Sequence, residues 1–333
     1  MYQINLNNTG NFQAKGNQTL LEAARLAQQP WPYSCQTGRC SACKCKVLSG
    51  KTTARSPETG LTDQEKAEGW VLGCVRCANS NLELEAENWG ELDLPLAQTW
   101  PCRIQSLSLL ADDVMRVQLR LPPANLFDFL PGQFIEVIGP QGVRRSYSLA
   151  QADNSQKILE LHVRAVDGGT MSQFWFAQAK VNDLLRLHGP LGTFFLRDVS
   201  NLHLIFMATG TGIAPIKAIL ESLPLLAADR QPKTVTVLWG GRTQPDHYMD
   251  LGQLVAKHRF IPVLSRANSD WTGHRGYVQD ALLALNLDLS QAAVYACGSP
   301  AMINSSKAKL MEEGLPPQRF YSDAFVCSSL LIN

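Results

Sequence analysis

The chain has 333 residues, of which 45% are hydrophobic and 18% charged, and its formal net charge at pH 7 is +1. This length predicts two or three domains with enough apolar residues for packed cores. The balanced charge gives no reason to expect a nucleic acid or an anionic membrane as a partner. A polar N-terminal segment and the lack of a long apolar run predict a cytoplasmic protein that does not enter membranes, and we expect a monomer.

Residues 1–90 predict a compact α+β domain. Two strand patterns, YQINLN and NFQAKG, precede the periodic run LLEAARLA, and Thr19 before that run predicts an N-capped helix. Another strand is predicted in CKVLSGKTT, and Thr62 with Glu65 three residues later is a capping-box pattern for a short helix. Acidic residues and prolines without periodicity then predict a linker at residues 91–99.

Two further domains are predicted, at residues 100–198 and 199–333. The first contains short runs of alternating hydrophobicity separated by Pro, Gly and Asp, which predict an antiparallel β-barrel. The second alternates long apolar strands, such as LHLIFMA, with amphipathic helices, which is typical of a doubly wound parallel sheet. The fold class is therefore multidomain, with an α+β part followed by a barrel and an α/β part.

Four cysteines carry the clearest chemical signal: Cys35, Cys40, Cys43 and Cys74. Their spacing, Cys-x4-Cys-x2-Cys followed by one distant Cys, is typical of a plant-type 2Fe-2S cluster. Small residues in SCQTGRCSAC suit a tight loop whose backbone N–H groups point at sulfur atoms. Zinc and reduced structural thiols are the alternatives, although zinc usually takes cysteines as two close pairs. We predict that Cys45 and Cys77 are not ligands.

Two segments of the barrel region contain candidate binding residues. The first is the strand sequence RRSYS, whose candidates are Arg145, Tyr147 and Ser148. The second, GGTMS, opens a helix whose free backbone N–H groups can bind a pyrophosphate; its candidates are Gly169, Thr170, Met171 and Ser172. Arg164, in LHVR, is a candidate for a further positive charge near this phosphate.

In the last domain the strand LHLIFMA leads into a glycine turn and a helix. The candidate residues of this turn are Gly210, Thr211, Gly212 and Pro215. The glycines permit close approach of a pyrophosphate, and proline suits a first helical turn. The turn departs from the GxGxxG dinucleotide fingerprint because proline stands at the third position. A second motif, Cys297-Gly298-Ser299-Pro300, follows the strand AVYA.

In this order the motifs resemble those of the ferredoxin-NADP reductase superfamily, over the whole chain. The resemblance implies a β-grasp ferredoxin domain, an FAD-binding barrel and an NAD(P)H-binding domain. It implies that Arg145 holds the flavin pyrophosphate, that Tyr147 packs on the isoalloxazine ring and that Ser148 hydrogen-bonds near flavin N5. It also places Cys297 near the nicotinamide C4 and Phe325, in FYSDAF, over the flavin. Ser148, Cys297 and Phe325 are thus the predicted catalytic residues.

Within this superfamily, RRSYSLA, GPLGTFF, WTGHRGYVQDA and VYACGSPAMI are most similar to the CDP-6-deoxy-Δ3,4-glucoseen reductases. Reductase components of ring-hydroxylating dioxygenases and multicomponent monooxygenases are similar as well. The resemblance implies an enzyme that passes electrons from NAD(P)H through FAD and a 2Fe-2S cluster to a dehydrase or oxygenase partner protein. A redox-sensing or partner-binding module is the alternative from another class.

The resemblance favours NADH over NADPH as the electron donor. NADPH is the alternative because Ser265 and Arg266, followed by Arg275 and Tyr277, resemble the residues by which NADPH reductases hold a 2′-phosphate.

Basic residues surround the cysteine motif: Arg39, Lys44, Lys46 and Arg76. Exposed charges near a redox centre steer encounters with a partner more than they change its intrinsic chemistry. We therefore expect an acceptor with an acidic docking surface, the alternative being that these charges are only solvated.

Overall fold

A computed structural model of the chain describes residues 1–6, 10–86, 94–124 and 126–325. Contacts divide the described residues into two compact units, a smaller one with those up to residue 86 and residues 322–325 and a larger one with those from 94 to 321. Residues 91–93 of the predicted linker lie outside the described residues. Its last two residues, Gln98 and Thr99, instead begin a strand because they pair with Gly189 and His188.

The smaller unit is a mixed sheet with a helix packed on it, which is a β-grasp arrangement. Its elements are β1 (Tyr2–Leu6), β2 (Gly10–Ala14), α1 (Leu20–Leu26), β3 (Lys44–Ser49), β4 (Thr52–Ala54), α2 (Asp63–Ala67), β5 (Trp70–Leu72), β6 (Arg76–Ala78) and β7 (Leu82–Ala86). The sheet has the order β2-β1-β7-β3-β5, with β1 parallel to β7, and β4 pairs with β6 separately. Leu20, Leu21 and Ala24 of α1 belong to the same buried core as Ile4 and Leu84 of the sheet.

Both predicted helix caps are confirmed. The Thr19 hydroxyl accepts a hydrogen bond from the Glu22 backbone N–H at 3.2 Å, and the Glu22 carboxylate accepts one from the Thr19 N–H at 2.9 Å. Thr62 and Glu65 make the same reciprocal pair at 3.1 and 2.9 Å. These bonds satisfy N–H groups that a helix start leaves unpaired. The second cap fixes the start of α2, which leads the chain through β5 towards Cys74.

The first part of the larger unit is an antiparallel barrel. Its elements are β8 (Gln98–Ala111), β9 (Val114–Arg120), β10 (Phe134–Ile138), β11 (Arg144–Ser148), β12 (Ile158–Arg164), α3 (Thr170–Gln173) and β13 (Leu184–Leu191). The strand order is β11-β10-β13-β8-β9-β12. An antiparallel bridge from Leu149 to Leu161 joins the two outer strands, and both side chains are fully buried. The predicted helix in MSQFWFAQA is α-helical only in α3 and continues as a wider π-helical turn, in which Phe174 and Trp175 are buried.

The second part of the larger unit is a parallel sheet with helices between its strands. Its elements are β14 (His203–Thr209), α4 (Ile213–Ser222), β15 (Thr234–Gly241), α5 (Gly252–Val255), β16 (Arg259–Leu264), β17 (His274–Arg275), α6 (Val278–Leu283), β18 (Ala292–Gly298), α7 (Pro300–Glu312) and β19 (Phe320–Ala324). The order is β17-β16-β15-β14-β18-β19. The chain moves outward from β14 on one side and returns to its other side at β18, so the carboxyl end of β14 is the topological switch point.

Candidate functional site

The four predicted cluster ligands come together in the smaller unit. Cys40, Cys43 and Cys74 are buried and Cys35 is half-buried. Cys35 hydrogen-bonds with Cys40, and Cys43 hydrogen-bonds with Cys74. Cys40 also lies close enough to Cys43 for its charge to raise the pKa of Cys43. In the described part of the chain, no group of three or more His, Cys, Asp or Glu is arranged around one metal ion. Two pairs of thiols fit a 2Fe-2S cluster, in which each of the two irons takes two thiolates.

Hydrogen bonds to sulfur shift the pKa values of these thiols. The bond shared with Cys40 lowers the pKa of Cys35 to about 5, and the same bond together with burial raises the pKa of Cys40. The bond to Cys74, followed by burial, raises the pKa of Cys43. The backbone N–H of Thr37 donates to Cys35 Sγ and that of Cys35 donates to Cys40 Sγ, both at 3.4 Å. Loop N–H groups therefore point at ligand sulfurs, as the sequence predicted.

Two other buried cysteines of this unit lie in strands. Cys45 is in β3 and Cys77 in β6, and burial is the main cause that raises the pKa of each thiol. The hydrogen bonds between thiols join Cys35 to Cys40 and Cys43 to Cys74, and neither Cys45 nor Cys77 takes part in them. This supports the assignment of Cys45 and Cys77 as structural thiols, which stays a prediction.

Two of the basic residues around the cysteines are paired with carboxylates and are not free charges as expected. Lys44 forms an ion pair with Glu65 at 2.8 Å, and Arg76 pairs with the buried carboxylate of Glu58 at 2.5 Å. The expectation was therefore wrong for these two cations, because each already has an acidic partner inside the unit. Arg39 is half-buried, and it forms no ion pair with any described residue. It is the better candidate for a docking charge.

The predicted flavin strand β11 presents an unpaired cation and a fixed ring on one face. Arg145 and Tyr147 are two residues apart and so share a face. The Tyr147 hydroxyl accepts a hydrogen bond from Trp175 Nε1 at 3.0 Å, and burial raises the pKa of Tyr147 to about 12. Arg145 has no carboxylate partner among the residues described, and Ser148 is buried at the end of the strand. The Arg145 guanidinium is suited to a flavin diphosphate, and the fixed Tyr147 ring beside it is suited to packing on the flavin ring.

In the GGTMS segment, the backbone and the side chains have different roles. Gly169 is the N-cap of α3, and its own N–H donates to the Val166 carbonyl at 2.9 Å. Thr170 is exposed, so the backbone N–H groups from Thr170 to Ser172 remain the candidates for the phosphate. The Met171 side chain belongs to the barrel core. The Ser172 hydroxyl accepts from the Val166 N–H at 2.9 Å. The side chains of Met171 and Ser172 therefore stabilise the turn.

Arg164 is engaged by two carboxylates. Its guanidinium lies 2.9 Å from Asp113 and donates to Asp246 at 2.6 Å. A Cβ placed on Gly210 would lie 2.8 Å from Arg164 Nη1. These contacts connect β12 of the barrel to the glycine turn, and they do not support the predicted flavin role, because the charge is already compensated.

The two nucleotide motifs meet at the switch point. β14 and β18 are parallel neighbours, with Ala208 opposite Cys297. A Cβ on Gly212 would lie 2.2 Å from the carbonyl oxygen of Cys297, and a Cβ on Gly298 would lie 2.2 Å from Thr209 Oγ1. Only glycine permits this approach. Ligands of open α/β sheets bind at this position. The structure brings together five of the predicted nucleotide residues here, and their binding role stays a prediction: Gly210, Thr211, Gly212, Cys297 and Gly298.

Pro215 lies in the first turn of α4, as predicted, and is buried. Sequence reasoning missed a residue that supports the same turn: Trp239, at the end of β15, donates from Nε1 to the Gly210 carbonyl at 3.0 Å. The indole is 1% exposed and packs edge-on against Tyr248. A large aromatic residue just before two glycines, at the end of an apolar strand, was the available signal.

The proposed 2′-phosphate residues are only partly free. Arg275 donates to four backbone carbonyls of the 267–271 loop, which occupies its guanidinium. The Ser265 hydroxyl donates to the Gly241 carbonyl at 3.3 Å. Arg266 and Tyr277 are exposed. Arg266 therefore remains the candidate that would discriminate between NADPH and NADH.

Phe325 is the last described residue, half-buried, and belongs to the smaller unit. Its predicted place over the flavin stays a prediction. Sequence reasoning missed Asp323, whose buried carboxylate accepts a hydrogen bond from Ser34, the residue before Cys35. Burial raises the pKa of Asp323 to about 6. No sequence signal indicates this contact, since 289 positions separate the partners.

Family models match three consecutive parts of the chain. Residues 4–79 match the 2Fe-2S iron-sulfur cluster binding domain, residues 101–196 the oxidoreductase FAD-binding domain and residues 206–308 the oxidoreductase NAD-binding domain. The FAD match contains the β11 candidates, and the NAD match contains both nucleotide motifs. The predicted cofactor types, a 2Fe-2S cluster, FAD and a nicotinamide nucleotide, are therefore confirmed.

Whole-chain similarities agree with this order. The chain is 39% identical over 321 residues to the CDP-6-deoxy-L-threo-D-glycero-4-hexulose-3-dehydrase reductase of Yersinia pestis, covering 95% of this chain and 96% of the relative. It is 30% identical to reductase component 1 of the terephthalate 1,2-dioxygenase of Comamonas sp, covering 95% of each. The Amycolatopsis cytochrome P450 reductase GcoB superimposes with a TM-score of 0.76 at 29% identity, over 99% of this chain and 100% of that structure.

The fold and site define an NAD(P)H-dependent iron-sulfur flavoprotein oxidoreductase. The chain belongs to the ferredoxin reductase-like family in which a 2Fe-2S domain precedes FAD- and NAD-binding domains, the family of the hexulose-dehydrase and oxygenase reductases. It transfers electrons from NAD(P)H through FAD to its 2Fe-2S cluster and on to a partner. Among the described residues, no helix is long and apolar enough to span a membrane.

Proposed function

We propose that this chain is the NADH-dependent reductase of a 3-deoxysugar dehydrase system, with a CDP-6-deoxyhexulose dehydrase as its electron acceptor. The observation that carries this acceptor is the 39% identity to the Yersinia dehydrase reductase across nearly the full length of both chains. Relatives named as oxygenase reductases match over the same length at 30%. We further propose that the protein acts as a monomer in the cytoplasm.

For the cluster, we propose Cys35, Cys40, Cys43 and Cys74 as the iron ligands. The paired thiols and the N–H groups directed at their sulfurs support this assignment. Hydrogen bonds to ligand sulfur stabilise negative charge on the site and so tune its reduction potential.

For the flavin, we propose that Arg145 binds the FAD diphosphate while Tyr147 and Ser148 position the ring. The guanidinium has no acidic partner among the described residues, whereas the Tyr147 ring is held by Trp175. The backbone N–H groups from Thr170 to Ser172 supply further donors.

For the nucleotide, we propose that the Gly210–Gly212 turn binds the diphosphate and that Cys297 lies beside the nicotinamide. Trp239 fixes the turn through the Gly210 carbonyl. FAD held by the β11 residues would supply the conversion of the electron pair of a hydride into single electrons, chemistry that the protein side chains themselves cannot supply.

Reconstitution tests the acceptor. The purified holoprotein is mixed with NADH and either a CDP-6-deoxy-L-threo-D-glycero-4-hexulose-3-dehydrase and its substrate or the oxygenase component of terephthalate 1,2-dioxygenase and terephthalate. We expect product formation coupled to NADH oxidation with the dehydrase. Coupling with the oxygenase alone would favour the oxygenase-reductase alternative, which rests on the 30% relatives.

The same preparation separates an enzyme from a redox sensor. We expect NADH to bleach the flavin absorption within the turnover time and an added one-electron acceptor to restore it repeatedly. Slow bleaching without turnover would favour a sensing module. Replacing NADH by NADPH measures the nucleotide preference, and a higher kcat/KM for NADPH would overturn the choice of NADH.

A further inference from the structure

A buried carboxylate lies against the segment that carries the fourth cluster ligand. Glu58 precedes α2 in the chain, and its side chain is 5% exposed. It accepts a hydrogen bond from the Leu72 backbone N–H at 2.7 Å. It also accepts from Arg76 Nε at 3.0 Å and from Arg76 Nη2 at 2.5 Å. Leu72 and Arg76 stand two residues before and after Cys74, so one carboxylate holds both sides of this ligand.

The segment around Glu58 also contacts the loop that carries the other three ligands. The Gly60 N–H donates to the Gly38 carbonyl at 2.9 Å, within that loop. The Arg55 N–H donates to the carbonyl of Val75, next to Cys74, at 2.8 Å. Residues 55–60 therefore connect the two parts of the chain that supply cluster ligands.

Arg76 is anchored at both ends of its guanidinium. Besides its two bonds to Glu58, it donates from Nη1 to Thr52 Oγ1 at 3.2 Å, and its backbone pairs with Ala54 in the β4–β6 ribbon. A bidentate arginine–carboxylate pair with a third hydrogen bond fixes direction as well as distance. Because the carboxylate is buried, loss of one partner leaves the other charge uncompensated.

We propose that Glu58 and Arg76 are positioning residues that hold Cys74 at the distance from Cys43 that the second iron requires. The proposal rests on the proposed assignment of the four cysteine ligands. The three ligands of the loop lie within nine positions, and loop N–H groups donate to the sulfurs of Cys35 and Cys40. Cys74 follows thirty-one positions after Cys43, so local chain geometry does not fix its place. The pairing of Lys44 with Leu72 and the Gly73 N–H, which donates to the Cys43 carbonyl at 3.0 Å, hold the chain before Cys74. The Glu58–Arg76 pair adds a side-chain restraint that also reaches the chain after Cys74.

The main test is Glu58→Gln in the full-length holoprotein. Glutamine keeps the shape and can still accept from the Leu72 N–H, but it does not neutralise Arg76. Loss of such outer partners typically weakens metal binding about 10- to 100-fold. We expect an iron chelator to remove the cluster absorption at least about tenfold faster than in the unchanged protein. We also expect shifted EPR g-values of the reduced cluster, while NADH still bleaches the flavin at the normal rate.

Two further variants separate positioning from folding. Arg76→Lys keeps the charge but loses the bidentate geometry, so its chelation rate and g-values should lie between those of Glu58→Gln and the unchanged protein. Asp63→Asn removes an exposed ion pair of the same unit, with Lys66 at 3.4 Å, and should leave both readouts unchanged. If Glu58→Gln does not fold, the comparison of Arg76→Lys with Asp63→Asn decides the question.

Three outcomes would overturn the proposal. One is a chelation rate and an EPR spectrum of Glu58→Gln that equal those of the unchanged protein. Another is an equal acceleration in Asp63→Asn. The third is a lower melting temperature with unchanged g-values, since that indicates a structural role only. Retention of the cluster by Cys74→Ser would instead refute the ligand assignment, so the two failures can be told apart.

Discussion

The cluster region and the nucleotide turn are built in opposite ways. The cluster region of the smaller unit depends on side-chain atoms, four sulfurs in two pairs, with loop N–H groups directed at them. The nucleotide turn of the larger unit depends on the absence of side-chain atoms, because the chain after Thr209 approaches the Cys297 and Gly298 backbone too closely for a Cβ. Removing an atom should destroy the first site, whereas adding one should destroy the second.

The largest effect is expected from Cys74→Ser. A serine oxygen is a harder ligand than thiolate sulfur, which iron-sulfur clusters require. We expect complete loss of the 2Fe-2S EPR signal, with flavin reduction by NADH retained because β11 and the Gly210–Gly212 turn lie in the larger unit. Serine at positions 35, 40 and 43 should act in the same way.

Cys45→Ser and Cys77→Ser are the matched controls, since both replace buried thiols of the same unit. Each should keep the EPR signal. The ligand assignment is refuted if Cys45→Ser abolishes the signal and Cys74→Ser does not.

Gly212→Ala tests the effect of adding a methyl group to the nucleotide turn. The new methyl would lie 2.2 Å from the Cys297 carbonyl, a backbone atom that cannot rotate away. Overpacking of this kind costs about 1 to 3 kcal/mol. A cost of that size in the nucleotide-binding conformation corresponds to a loss of about 5- to 150-fold in nucleotide affinity. Stopped-flow reduction of the flavin by NADH measures this, and the cluster EPR signal should not change.

Gly314→Ala is the converse variant, because Gly212 has φ −61° and its substitution adds a collision without backbone strain. Gly314 has φ +91° and no atom within 4 Å of an added Cβ, so this variant has strain without a collision. A similar slowing in both variants would show that the close approach at Gly212 is unimportant.

A smaller and more selective effect is expected from Arg266→Ala. If its guanidinium contacts a 2′-phosphate, losing that charge-assisted bond removes about 1.5 to 3 kcal/mol. The KM for NADPH should rise about tenfold or more, with the KM for NADH nearly unchanged. Arg275→Ala is the contrasting variant, because it releases four loop carbonyls and should weaken both nucleotides. Equal effects of Arg266→Ala on both nucleotides would make Arg266 a general electrostatic residue.

The smallest effect is expected from Arg39→Gln. A charge at the edge of a docking surface changes the association rate and its salt dependence more than the transfer step. Electron transfer from cluster to acceptor should slow a few-fold at low ionic strength and lose part of its salt dependence, with hydride transfer to the flavin unchanged. Lys51→Gln, at an exposed position of the same unit, is the control. Identical salt dependence in Arg39→Gln and the unchanged protein would show that docking uses another surface.

Much of the fold and of both sites could be predicted because residue spacing and periodicity along the sequence determine helices, strands and turns locally. The cysteine spacing identified the four thiols that the structure brings together, and the Thr62–Glu65 capping box identified a helix start. The sheet order places Gly212 beside Cys297, as the strand and helix alternation implied.

What the sequence could not show are side-chain pairs that form only after the chain has folded. Arg164 and Arg76 were both read as available charges, yet each has a carboxylate partner far along the chain. Asp246 is 82 positions from Arg164, and no periodicity or spacing connects the two. A charged residue in a strand has the same appearance in the sequence whether it is solvated or paired.

The contact of Gly298 with Thr209 also limits how this protein can vary over evolutionary time. Every single-base missense change of a glycine codon introduces a residue with a Cβ, and at this position that atom would lie 2.2 Å from Thr209 Oγ1 and 2.9 Å from the Thr209 carbonyl oxygen. A prior change of the threonine would remove the first clash but not the second, which involves the backbone. Substitution of Gly298 is therefore unfavourable whether or not Thr209 changes first. We expect relatives of this protein to vary at neighbouring positions and to keep this glycine.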